Sequence, residues 1–127
     1  MERWYLPSVE ATGKREPRVL FSQPECRAVV IDLQAGEAMG DHSVHETAIV
    51  QVLSGRVVID TDDREHECEA GTLAVFVPGE RRAVRAAETS RLLLLLAPWP
   101  GEGHYGAGED AHPGRLPTHG QASPLPE

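Results

Sequence analysis

Gly36-Glu37-Ala38-Met39-Gly40-Asp41-His42-Ser43-Val44-His45-Glu46, continued by Thr47-Ala48-Ile49-Val50-Gln51-Val52-Leu53-Ser54-Gly55, is the stretch that decides the fold. Glycines punctuate both ends, and Ala48 to Leu53 is an apolar run rich in β-branched residues, which favours a strand. Between the glycines, two imidazoles and a carboxylate (His42, His45 and Glu46) crowd one loop. Such side chains carry protons near neutral pH and donate lone pairs to metals.

On either side of this stretch the chain alternates short apolar runs with turn residues. The expected strands are Arg18–Ser22, Arg27–Leu33, Thr47–Leu53, Arg56–Thr61, His66–Ala70, Thr72–Val77, Arg82–Ala86 and Arg91–Ala97. Their separators include Gln23-Pro24-Glu25, Ala35-Gly36, Ser54-Gly55, Asp62-Asp63 and Pro78-Gly79. Regular short strands of this kind mean an all-β sandwich or barrel. No segment keeps an apolar helical period over three turns, so little helix is expected. Leu53-Ser54-Gly55-Arg56 carries a tight hairpin signal. In Glu65-His66-Glu67-Cys68-Glu69-Ala70 the alternation sends the three acids to water and His66, Cys68 and Ala70 against the sheet.

Both ends differ from this middle. Residues 1–17, with Pro7, Gly13 and Pro17, read as an irregular N-terminal arm that Trp4, Tyr5 and Leu6 dock onto the body. Residues 18–105 form the β domain, closed by Pro98-Trp99-Pro100, whose aromatic packs back on it. Residues 106–127 hold four of the ten prolines and little to bury, so they read as a disordered tail.

The chain has 127 residues, 40% of them hydrophobic and only 5% aromatic, which is one domain with an aliphatic core. A formal charge of -8 argues against nucleic acid or an anionic membrane as partner, since both call for a basic face. Cys26 and Cys68 lack CxxC spacing and read as two thiols in a reducing compartment. The longest apolar run, Leu92 to Pro100, is far short of the ~20 residues of a membrane helix. With no basic-then-apolar leader at Met1-Glu2-Arg3-Trp4-Tyr5, the expected location is the cytoplasm.

Glycine and proline spacing carries a resemblance. Five residues separate Gly36 from His42, and six separate Ala48 from Gly55. Gly71, then Thr72 to Phe76, then Val77-Pro78-Gly79, then Glu80-Arg81 and Arg82 form a second spaced set. Fifteen residues, Arg56 to Ala70, separate the two. Over roughly residues 18–97 the chain resembles a small single-domain bacterial cupin, a jelly-roll β-barrel. In that family the two motifs supply two histidines, a carboxylate and a final histidine to a metal.

Carried over position by position, the resemblance retains one ligand. His42 matches the first histidine, while Val44, Ala48 and Arg82 stand at the other three positions. A divalent Fe, Mn, Ni or Zn ion usually takes three or more protein donors, and a guanidinium has no lone pair to give. The expectation is therefore no metal cofactor. The alternative is a divalent transition metal held by His42, His45 and Glu46 in an unorthodox order. Cupin geometry would aim Arg82 and Val84 inward and Arg81, Ala83 and Arg85 outward.

From this follow the functional expectations. The first is a metal-independent cup, lined by Val44, Ala48, Val50, Phe76 and Val84, in which His42 and Arg82 hold a small carboxylate- or phosphate-bearing ligand. The alternative is an enzyme of the isomerase, epimerase or cyclase type, or a metal-dependent oxygenase. There His42 or His45 would move the proton, Glu46 would orient the imidazole and Arg82 would stabilise the developing anion. Small cupins resemble homodimers, which makes a second copy the expected protein partner, with Trp4, Tyr5 and the Trp99–Tyr105 segment as contacts.

Overall fold

The computed structural model describes residues 1–11, 17–103 and 122–126, without the side chains of residues 40–42. Among the described residues a single 3₁₀ turn at Leu6–Ser8 precedes nine strands. These are β1 Arg18–Gln23, β2 Cys26–Leu33, β3 Ala38–His42, β4 Thr47–Ser54, β5 Arg56–Asp60, β6 Glu65–Glu69, β7 Leu73–Phe76, β8 Arg82–Ala86 and β9 Ser90–Ala97. Every pairing is antiparallel. One sheet runs β1-β2-β9-β4-β7 and the other β3-β8-β5-β6, which together make the expected jelly roll.

Alternation fills the space between the sheets. Ala48, Val50 and Val52 of β4 point inward, as do Val84 and Ala86 of β8 and Val57 and Ile59 of β5. They join Leu33, Phe76, Leu92 and Trp99 in one core. Strand β2 is buried on both faces, because Ala28 and Val30 on its outer side lie under the arm. There Trp4, Leu6, Val9 and Ala11 cover Leu20, Ala28 and Val30. The arm is pinned by Arg91, which donates to the Leu6 carbonyl at 2.7 Å while gripping Asp32 through two bonds of 2.7 and 2.8 Å.

Eight strands lie within one residue of their expected ends; β3 is the exception. Gly40 and Asp41 are weak strand formers, and only Ala38 and Met39 suggest burial. The strand exists because β8 supplies its partner, through Ala38↔Arg85, Met39↔Val84 and, past a bulge, His42↔Arg82.

The turn at Ser54-Gly55 is not a hairpin, which corrects the sequence reading. Strand β4 pairs with β7 and β9, whereas β5 pairs with β6 and β8, so the chain changes sheets here. Gly55 has φ +79°, and a Cβ on it would run into Ser90 Oγ and the Thr89 carbonyl. The glycine thus serves a close crossing. In β6 the expected alternation holds for His66 and Cys68, while Ala70 lies exposed in the following turn.

Of the expected tail, residues 106–121 and 127 lie outside the described residues. Ala122–Pro126 are described, and they dock on the arm. The Ala122 amide donates to the Val19 carbonyl at 2.7 Å, Trp4 Nε1 donates to the Ala122 carbonyl at 3.2 Å, and the Leu125 amide donates to the Arg3 carbonyl at 2.8 Å. The ring of Trp4 packs on Phe21 with centroids 5.9 Å apart. Of the aromatics offered for contact with a second copy, Trp4 and Trp99 therefore pack within their own chain. Tyr5 is exposed, and Tyr105 lies outside the described residues.

Candidate functional site: a buried guanidinium between the sheets

Turn Val77–Glu80 delivers the chain into β8. Gly79 takes φ +82°, its amide donates to the Val44 carbonyl at 2.8 Å, and the Glu80 amide closes on the Val77 carbonyl at 3.0 Å. β-alternation from that point sends Arg82, Val84 and Ala86 between the sheets and leaves Arg81 and Arg85 exposed. Arg82 is only 1% exposed. Its guanidinium carbon stands 5.1 Å from the centroid of the Phe76 ring. Nε, Nη1 and Nη2 are all buried and have no hydrogen-bond partner among the described residues. Loss of hydration lowers its pKa below the ordinary arginine value, against an opposing pull from the Glu80 carboxylate.

Such a group is costly to bury. An arginine side chain remains charged in proteins, so desolvation cannot be relieved by giving up the proton. Five N–H donors without acceptors among the described residues, in a water-poor space, leave strong demand for an anion. Around it the expected cup residues assemble. Ala48 faces Phe76 across the β4–β7 pair, Val50 and Val84 are fully buried, and half-buried Val44 packs against the same core.

Other expected residues separate. His42 lies opposite Arg82 in the β3–β8 ladder, but its side chain is outside the description. His45 is exposed, with its ring beside Gly103. Glu46 is 0% exposed, and its Oε2 accepts from the Gly101 amide at 2.5 Å. His45 and Glu46 both lie in the bend that leads into β4. At the family's ligand positions, Val44 and Ala48 have no donor atom and Arg82 places a buried positive charge. These residues do not fit a divalent ion. Among the described residues no group of three His, Cys, Asp or Glu side chains could hold one.

A further cavity, of about 410 Å³, opens where the free edges of β6 and β7 face each other. Buried Ile59, Cys68 and Phe76 with Ala74 make its floor, and Thr61, Asp63, His66 and Glu80 stand toward its mouth. Thr61 Oγ1 donates to Asp63 Oδ1 at 2.5 Å and lies 3.2 Å from His66 Nε2. Alternation predicts His66 against the sheet, whereas nothing local marks Thr61, Asp63 and Glu80 as its neighbours. The acidic turn Asp62-Asp63 was the visible signal, but it says nothing about which strand edge lies across from it.

The relation to known proteins follows the geometry. Residues 29–98 match the family described as Cupin domain, more than half of the chain. The chain belongs to the cupin family. Solved cupin structures resemble it in fold. An RmlC-like cupin from Desulfovibrio desulfuricans is 18% identical, with TM-score 0.68 over 77% of this chain and 97% of that one. A conserved protein from Streptococcus pyogenes, SPY1581, is 28% identical, with TM-score 0.60 over 64% of this cupin and 71% of that chain. The EutQ protein of Clostridium difficile is 17% identical, with TM-score 0.64 over 74% and 84%. No curated protein matches this cupin. Among its described residues, no helix is long and apolar enough to cross a membrane.

Proposed function

We propose that this cupin binds a small organic anion between its sheets, with Arg82 as the anchoring charge and without the family's usual metal. One observation carries the reading: a guanidinium 1% exposed whose three nitrogens have no hydrogen-bond partner among the described residues. A carboxylate or phosphate on the ligand would complete those bonds two at a time and offset the desolvation. The ring of Phe76 holds the guanidinium by a cation–π contact and leaves its edge donors for the anion. Ala48, Val50 and Val84 supply an apolar surround that excludes water and strengthens the charge pairing.

The alternative reading as a proton-transfer enzyme draws less from this geometry. It needs an imidazole oriented by a carboxylate, whereas His45 is exposed and the buried Glu46 carboxylate accepts from the Gly101 amide. The test is thermal stabilisation of the purified chain by small mono- and dicarboxylates and by inorganic phosphate, compared in wild type and Arg82→Met. Stabilisation by at least one of these anions, absent in the variant, is expected. No stabilisation by any of them, or stabilisation surviving in Arg82→Met, overturns the reading.

A further inference from the structure

The cavity between β6 and β7 has chemistry opposite to that around Arg82. Neither Val44, Ala48 nor Arg82 lines it, and its lining contains no lysine or arginine. Two carboxylates, Asp63 and Glu80, stand at its mouth, both exposed. Each is held in place. Asp63 Oδ1 receives the Thr61 hydroxyl, and Glu80 Oε1 accepts from the Val77 amide at 3.1 Å across its own turn. The Thr61 bond comes first among the causes that lower the Asp63 pKa, with smaller pulls from His66 and Arg64. Asp63 is therefore an anion at neutral pH. The Thr61 hydroxyl has a single proton, so donating it to Asp63 makes Thr61 the acceptor for His66 Nε2–H.

Neighbouring cations leave this mouth acidic. Arg81, next to Glu80 in the chain, is bridged to Asp62 at 2.9 Å. Arg82 is not part of the lining; it rests against Phe76 and interacts with Glu80 through space. Below the mouth the floor is apolar and aromatic, with Ile59, Ala74 and Phe76. Recesses with a greasy floor and a few fixed polar groups are the usual form of a small-molecule site. Two carboxylates fixed at the rim, with no lysine or arginine in the lining, select for a ligand that donates and carries positive charge.

We propose that the cavity between β6 and β7 is a second binding site, for a small organic cation consisting of a primary amine on a compact apolar body. The apolar body lies over Ile59, Ala74 and Phe76, and the ammonium faces Asp63 and Glu80. The site is independent of the anion centre: it requires neither Arg82 nor any ligand there.

Isotope-labelled full-length protein, titrated with benzylamine, benzyl alcohol and benzoate and followed by amide resonances, tests this. Benzylamine is expected to move the amides of His66, Cys68, Ala74 and Phe76. Benzyl alcohol, of nearly the same shape, binds there about fivefold more weakly, the scale of one exposed charge pair. Benzoate leaves the amides of His66 and Cys68 unmoved; that of Phe76, which touches Arg82, is read for the amine alone. Combining Asp63→Asn with Glu80→Gln, which keeps the acceptors for Thr61 and Val77, brings the amine down to the level of the alcohol. Raising salt in wild-type protein weakens the amine but not the alcohol, a readout that stands even where the double variant fails to fold. The proposal is overturned by silence of these amides toward benzylamine, by equal binding of the alcohol, by wild-type affinity in a folded double variant, or by salt-independent amine binding.

Discussion

The guanidinium of Arg82 lies 5.1 Å from the centre of the Phe76 ring, a buried charge resting on an aromatic face. The contact joins β8 of one sheet to β7 of the other. A cation–π contact contributes on the order of 1–2 kcal/mol when desolvated. The desolvation of an ion amounts to several kcal/mol. Desolvation wins, so Arg82 weakens the empty protein.

Arg82→Met should therefore raise stability. Methionine fills a similar volume, keeps contact with Phe76 and carries no charge. In the absence of added anions, urea unfolding should show a gain of about 1–3 kcal/mol. A loss of similar size would mean that the guanidinium is satisfied within the protein.

Gly55→Ala should destabilise although the residue sits in a turn. Its φ of +79° strains any L side chain, and the new methyl would meet Ser90 Oγ and the Thr89 carbonyl. Ser90 is fixed there, since its hydroxyl accepts the Arg56 amide at 3.0 Å and donates to a carbonyl. A cost above about 2 kcal/mol is expected by chemical unfolding, the strain and the clash adding. A change within experimental error would show that the crossing between sheets is more open.

Asp63 should titrate below an ordinary aspartate because the Thr61 hydroxyl binds its ionised form. A carboxyl whose folded pKa is depressed favours the native state above its unfolded pKa. That contribution disappears as pH falls through the lowered folded value. A carboxyl resonance titration of Asp63 in wild type and Thr61→Val should show the midpoint moving back up in the variant. An unmoved midpoint would place the cause elsewhere.

Cys26 and Cys68 are unpaired thiols, and burial pushes both pKa values above the usual cysteine range. The thiolate is the reactive form, so alkylation by iodoacetamide at mildly alkaline pH should be slow in native protein for both. Cys68, with 7% exposure at the cavity floor, should be the slower. In denaturant both should react at the rate of a free thiol. Rapid modification of native Cys68 would mean that the floor opens to solvent.

Much of the architecture was legible in the residues, because alternation and turn glycines are local signals. Eight strands follow from alternation and turn residues along the chain, and the inward facing of Arg82 follows from the resemblance to cupins. Strand β3 was not legible: its pairing comes from β8, more than forty residues away in sequence. The same limit explains the Ser54-Gly55 turn, whose flanking strands look like a hairpin until their partners in separate sheets are known. It also explains the cavity of Thr61, Asp63, His66 and Glu80, which exists only because two free strand edges face each other.

The residues alone determined that the barrel would form and that an arginine would stand where the family places a histidine. They did so because a period of two residues and a glycine's φ are properties of the chain itself. Tertiary structure alone decided that this arginine lacks a partner among the described residues, that the buried Glu46 carboxylate accepts from the Gly101 amide, and that Ala122–Pro126 close over the arm. Burial and hydrogen-bond satisfaction depend on what arrives from elsewhere in the chain.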